Sequence, residues 1–243
     1  MGKRITSQKR GRGSPTYRAP SFRYVGAARH KGLTEREKKG CVRGQVRDLL
    51  HCPGHYAPLM VITYEDGETV ITVAPLGVRV GDHVESGFDA RPMTGSTLPL
   101  INIPEGTPIC NVENQPGDGG RFVRSSGLAA RIEAKSADKV IVNMPSKMKK
   151  EFRPLCRAMI GIVAGGGRPE KPLVKAGNNY HKKRARNKLY PRVCGLSMNA
   201  LDHPFGGSRS SKKGKVTIAP RNAPPGRRVG LIRPRRSGRR RGR

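Results

Sequence analysis

A chain of 243 residues with 49 Lys and Arg against 17 Asp and Glu has a formal net charge of +32, and it contains 31 Gly, 20 Pro and no Trp. Such self-repulsion is tolerable only beside a dense polyanion, and nucleic acid fits best because each neutralised phosphate releases counterions. No apolar run approaches the ~20 residues of a membrane span, no apolar stretch follows the basic N-terminus to make a signal peptide, and the basic segments lack the apolar stripe of an interfacial helix.

The charge is uneven. Met1–Arg47 has 14 bases and 2 acids, Asp48–Val142 has 7 bases and 12 acids, and Asn143–Arg243 has 28 bases and 3 acids. A mildly acidic middle therefore sits between two strongly basic ends. Five cysteines, an odd number, suit a reducing cytosol, where they read as buried or incidental thiols.

Residues 1–40 are dominated by Arg, Lys, Gly, Pro and Ser without sustained periodicity, and are expected to form an extended basic RNA-binding arm. In it Tyr17, Phe22 and Tyr24 alternate with Arg12, Arg18 and Arg23, a pattern suited to stacking on unpaired bases while guanidiniums grip phosphates. From Cys41 the texture changes to short β-rich runs: CVRGQVRDLL, LMVITYEDGETVITVA, VRVGDHVESG and PICNVE. The Tyr64–Glu68 stretch is a hairpin signal, and the absence of a convincing helix points to an OB-like barrel over 41–115. Holding much of the acid, this barrel is expected to face solvent or protein more than RNA.

Residues 116–190 open on a glycine-rich loop bearing Arg121 and Arg124. LAARIEAK, KVIVNMP and CRAMIGIV follow, the first two joined by a second hairpin signal at 136–139, and they read as another small barrel. Beyond Val163 regular structure is expected mostly to stop, and 191–243 reads as an extended basic C-terminal tail. Over the last 72 residues 21 Lys and Arg face one acid, Asp202. Pro204 holds His203 extended, and Gly206 and Gly207 are expected to free backbone amides for close approach to a ligand.

Five motifs occur in order: PGDGG at 116–120, AGGGR at 164–168, KAG at 175–177, MNALDHPFGG at 198–207 and NAPPGRRVG at 222–230, with RGRGSPTYRAPS at 10–21 ahead of them. Over essentially the whole chain they resemble the universal large-subunit ribosomal protein family called L-two, in its archaeal or eukaryotic form. The resemblance implies a mainly β fold, an OB-like then an SH3-like barrel, with both tails threaded into large-subunit rRNA near the peptidyl transferase centre. It implies rRNA contacts at Arg10, Arg12, Arg18 and Arg23 of the arm, and at Arg121, Arg124, Arg168, Lys171 and Lys175 of the loops. Further contacts are implied at His181, Lys182, Lys183, Arg184, Arg186 and Arg192, at Met198, Asn199, Asp202, His203, Phe205, Gly206 and Gly207, and at Arg221, Arg227 and Arg228. The implied partners are rRNA, neighbouring large-subunit proteins and the small subunit across a bridge, in the cytoplasm. No dedicated cofactor is implied, only Mg2+ or K+ shared with the rRNA. Two positions depart from the pattern: Cys194 stands where the family usually has Arg, and Ser208 where it has a third Gly.

Sharper readings fare less well. Asp202 and His203 invite a general base acting in peptidyl transfer, but no nucleophile or oxyanion partner lies nearby, and a capping or ion-pairing Asp202 with an RNA-packing His203 is the simpler account. Cys41, His51, Cys52 and His55 lack the paired spacing of a zinc site, and neighbours in a strand point to opposite sides, so no metal is expected. Gly165–Gly167 is followed by Arg168 and Pro169 where a phosphate-binding P-loop needs Lys and Ser or Thr. Arg233–Arg243 leaves a chromatin-like, general nucleic-acid-binding protein as the rival class, although two barrels with Gly/Pro loops suit an irregular RNA surface better than a duplex groove.

Overall fold

A computed structural model describes residues 2–207 and 217–232 of the protein. The readings made on Ser208 and on Arg233–Arg243 lie outside the described residues. The chain divides into two compact units, one made of both ends (Met1–Pro20 and Leu173–Arg243) and one of the middle (Ser21–Pro172).

The middle unit is mainly β. Its strands are β1 (Cys41–Leu50), β2 (Leu59–Tyr64), β3 (Thr69–Val73), β4 (His83–Gly87), β5 (Thr97–Pro99), β6 (Pro108–Cys110), β7 (Ala130–Lys135), β8 (Val140–Asn143), β9 (Lys149–Phe152) and β10 (Arg157–Ile160). They form one sheet in the order β3-β2-β1-β4-β5-β10-β6-β7-β8-β9. Every pairing is antiparallel except β4 with β5. Both expected hairpins are present: Thr63 pairs Thr69 across the Glu65–Glu68 turn, and Lys135 pairs Val140 across 136–139. Alternation in β2 and β3 sends Met60, Ile62, Tyr64 and Val70 inward, and Leu59 and Val73 are buried at the strand ends; all join Val84, Leu98, Ile109, Ile132, Val142 and Met159 in one apolar cluster. Fully burying each such side chain stabilises the fold by ~1.5–3 kcal/mol.

The first forty residues differ from the expected extended arm. Thr6–Gly11 form a short helix, α1, and Glu35–Lys39 form another, α2. Thr34 caps α2: its hydroxyl accepts from the Glu37 amide, and the Glu37 carboxylate accepts from the Thr34 amide at 3.1 Å. Ala28, His30, Lys31 and Glu37 are buried in the middle unit. Tyr24, expected to stack on bases, instead lays its ring over Gly54, where a Cβ would stand 3.0 Å from it.

What draws residues 28–37 in is a buried polar network. Arg157, 1 % exposed, donates through Nε and Nη2 to Glu113 Oε1 at 3.2 and 2.9 Å. Its Nη1 lies 3.5 Å from Glu37 Oε1, which also accepts from the Ser86 hydroxyl at 2.5 Å. Glu113 Oε2 accepts from the amides of Arg157 and Gly117, and its Oε1 from that of Gly119. Lys31 Nζ meets Asp66 and Glu68, each at 2.7 Å. Part of the acid expected to face outward is therefore consumed inside the unit, because a buried guanidinium or ammonium must be paired.

His30 belongs to the same network, its Nε2 within 2.5 Å of the Asn111 carbonyl oxygen. Burial first, and then the Arg157 guanidinium, lower its pKa from 6.5 to about 4. The unfolded chain takes up this proton near the ordinary value and the folded one only near the lowered value. The stability contributed is thus complete above 6.5 and is lost as pH falls towards about 4. The expected slope is ~1.4 kcal/mol per pH unit in urea unfolding, and His30→Gln should flatten it. Parallel slopes for the two proteins would contradict this role for His30.

In the end unit the sequence reading missed α3 (Ala176–Arg184), whose nine residues AGNNYHKKR are polar on every side and bury nothing. Such a helix shows no apolar period by which to find it. Among the described residues no helix is long and apolar enough to cross a membrane.

Candidate nucleic-acid interface

Charge and core are separated between the two units. The end unit has 27 Lys and Arg against the single acid Asp202, net +26, while Ser21–Pro172 has 22 against 16, net +6. Among the described residues, Ile5 and Pro20 are the buried apolar side chains of the end unit; the rest of the core lies between Ala28 and Val163.

Within the end unit, hydrogen bonds join the two ends of the chain: the Lys3 amide donates to Leu201 O at 2.8 Å, and the Asn187 side-chain Nδ2 donates to Arg18 O at 2.7 Å. The DHPFGG stretch is a tight turn. The amides of Asp202 and His203 donate to Asn199 O, that of Gly206 to His203 O and that of Gly207 to Met198 O. A Cβ on Gly206 would sit 2.3 Å from Asn199 O. The glycines therefore let the turn close on itself, and the amides of Gly206 and Gly207 are committed inside it, not offered outward as expected. Gly195 similarly leaves room for the His203 ring, which a Cβ would approach to 2.5 Å.

His203 Nδ1 accepts from the Phe205 amide at 3.0 Å, and the two rings meet edge-on at 5.3 Å. Partial burial lowers its pKa. Asp202 instead pairs with Lys3 at 3.9 Å. With Nδ1 occupied by a backbone amide and the neighbouring carboxylate turned to a lysine, the ring is built into the turn and is not set up as a general base. Arg228 Nη2 donates to Arg221 O at 2.5 Å. Arg10, Arg12, Arg18, Lys175, His181, Lys182, Arg184, Arg192, Asn199, Arg221 and Arg227 are exposed; Lys183, Arg186, Met198 and Phe205 are half-buried.

In the middle unit the predicted residues have mixed duties. Arg23 is exposed and lies over the Phe22 ring, and Lys171 is exposed. Arg168 stacks on Tyr56 at 3.9 Å and donates to Ser126 Oγ at 3.0 Å, tying down the glycine loop at 165–167. Gly127 and Gly166 pass so closely that a Cβ on the former would stand 2.5 Å from the Cα of the latter. Arg124 donates to Ala28 O at 2.6 Å and Gly120 O at 3.3 Å, while Arg121 reaches Asp118 at 3.8 Å. Arg29, which the sequence reading did not single out, stands beside them.

Cys52 is buried and His55 Nδ1 lies 3.3 Å from its sulfur, whereas His51 and Cys41 are exposed, so the four side chains do not converge. Burial raises the thiol pKa of Cys110 to about 12 and of Cys156 to about 11, which keeps both protonated.

The profile described as Ribosomal Proteins L2, C-terminal domain, matches residues 93–226. The chain is 50% identical over 240 residues to the large ribosomal subunit protein uL2 of Methanococcoides burtonii, covering 99% of this chain and 100% of that protein. It is also 50% identical over 239 residues to the uL2 proteins of Methanopyrus kandleri and Halorubrum lacusprofundi, with 98% of each chain covered. A basic, nearly coreless end unit beside a mainly β middle accompanies this likeness along the full length, and the chain belongs to the ribosomal protein L2 (uL2) family, in its archaeal form.

Proposed function

We propose that this protein is a structural, non-catalytic constituent of the large ribosomal subunit in the cytoplasm, and that its end unit binds large-subunit rRNA. The observation that carries this reading is the separation of charge from core: a net +26 on a unit whose described residues bury two apolar side chains, Ile5 and Pro20. Such a unit gains too little from burial to offset its ordering entropy, so the missing stabilisation comes from phosphate. The exposed cations Arg10, Arg12, Arg18, Lys182, Arg184, Arg192, Arg221 and Arg227 are the contacts to rRNA backbone, with Arg23 and Lys171 adding to them from the middle unit. Asp202, His203, Gly206 and Gly207 act by fixing the turn that presents Met198, Asn199 and Phe205.

The two halves of the strand order, β1–β5 and β6–β10, are the OB-like and SH3-like barrels in this reading. They meet where β5 pairs β10, which supports a boundary near residue 100 in this reading, where the sequence alone suggested 115. Membership of the family supports a position near the peptidyl transferase centre, neighbouring ribosomal proteins as partners and a contribution to subunit association.

With roughly six to ten phosphates contacted, affinity for a large-subunit rRNA transcript falls ~10^3 to ~10^5-fold between about 50 and 200 mM salt. A flat salt dependence would overturn the mechanism. Equal affinity for duplex DNA would favour the chromatin-like class.

A further inference from the structure

The middle unit contains a hollow of about 220 Å³ whose lining includes Arg29, Arg121 and Arg124. It is smaller than the ~300–1,000 Å³ of sites for drug-sized ligands and suits one phosphate group with water.

Each cation is placed by contacts that the fold supplies. The backbone of residues 29 and 30 is fixed: the Arg29 amide donates to Ile71 O at 2.8 Å and the His30 amide to Gly119 O at 3.0 Å. The Arg29 stem then lies along bare backbone, where a Cβ on Gly119 would stand 3.1 Å from it. Arg124 is half-buried, and its bonds to Ala28 O and Gly120 O commit two of its five N–H donors. Burial first, then the charges of Arg121 and Arg29, lower its pKa, as crowding by like charges requires.

One carboxylate, Asp118, lines the hollow, and it is already engaged. Its Oδ2 accepts from the amides of Asn114 and Gln115, and its Oδ1 from that of Gly120. Three guanidiniums beside one occupied carboxylate leave a positive excess that an anion would relieve, and planar guanidiniums are suited to phosphate oxygens. His55 also lines the hollow, with its Nδ1 3.3 Å from Cys52 Sγ.

We propose that this hollow is a built site for a single phosphate of the rRNA backbone, shared by Arg29, Arg121 and Arg124, so that the middle unit fixes the register of the RNA that the end unit grips by charge. The proposal rests on the rRNA-binding reading above.

Sharing one phosphate has a signature distinct from three separate contacts. Each phosphate neutralised adds ~0.9 to the slope of log affinity against log salt. The full-length protein, Arg29→Gln, Arg121→Gln and the double variant are titrated with a large-subunit rRNA transcript over a range of salt. Both replaced side chains project from exposed positions, and thermal melts of the variants check that the fold is kept. With a shared phosphate, each single change lowers the slope by well under ~0.9 and the double change by no more than ~0.9, while affinity drops on the order of tenfold in the double variant.

A double-variant loss of ~1.8 in slope would mean separate phosphates, and an unchanged affinity would mean none; either overturns the proposal. If the wild-type slope were itself flat, the rRNA-binding reading would have failed instead. In parallel, inorganic phosphate alone is titrated while the Arg124 Nε–H resonance is followed. A shift with both inorganic phosphate and RNA, lost in the double variant, supports the site. A shift with inorganic phosphate but not with RNA makes it a free-phosphate site and overturns it.

Discussion

Glu113→Ala is expected to destabilise the protein by ~3–5 kcal/mol, the loss seen when one partner of a buried ion pair is removed. Glu113 is fully buried and serves four donors of separate origin: the Arg157 guanidinium and the amides of Arg157, Gly117 and Gly119. Deleting it leaves a guanidinium that is 1 % exposed with Glu37, 3.5 Å from its Nη1, as its remaining acid, and loosens the 116–120 loop in the same step. A domain of this kind has only ~5–15 kcal/mol in total, so the urea midpoint should move far. Glu113→Gln should cost less, because its amide oxygen still accepts. A measured loss under ~1 kcal/mol for Glu113→Ala would show that the network is not what holds residues 28–37 on the sheet.

Deleting Pro191–Arg243 should have an equally large effect of the opposite kind. It removes 15 Lys and Arg and one acid from the chain. None of the buried apolar side chains lies in the described residues of that stretch. The middle unit should therefore keep its cooperative unfolding transition and its midpoint, while incorporation into large-subunit particles is lost. Full incorporation of the truncated chain, or collapse of the middle unit, would contradict the division of labour between core and charge.

The sequence showed the hairpins because turn chemistry is local: Asp66 and Gly67 between two alternating runs, and Ser136–Lys139 between two others, announce reversals within a few residues. The polar network was not legible, because Glu113 and Arg157 are 44 residues apart and neither has a local sign of being buried. One clue was available: Thr34 with Glu37 three residues later is a capping pair, and it would have marked α2 inside the supposed arm. β9, read Lys-Lys-Glu-Phe, shows a single inward residue, Phe152, and has no apolar alternation to detect. In the candidate interface, composition located the cations but not their duties. Arg168 and Tyr24 are spent on internal stacking, and Arg29 was overlooked because its placement depends on Gly119, ninety residues along the chain.

The central claim is that the end unit takes its stability from RNA and the middle unit from its own core. Hydrogen exchange of the full-length protein, with and without a large-subunit rRNA transcript, tests it most directly. The account predicts that amides of β1–β10 are protected in both conditions, while those of α1, α3 and the 198–207 turn exchange rapidly alone and become protected on the RNA. Protection of the end unit equal to that of the middle unit in the absence of RNA would contradict it.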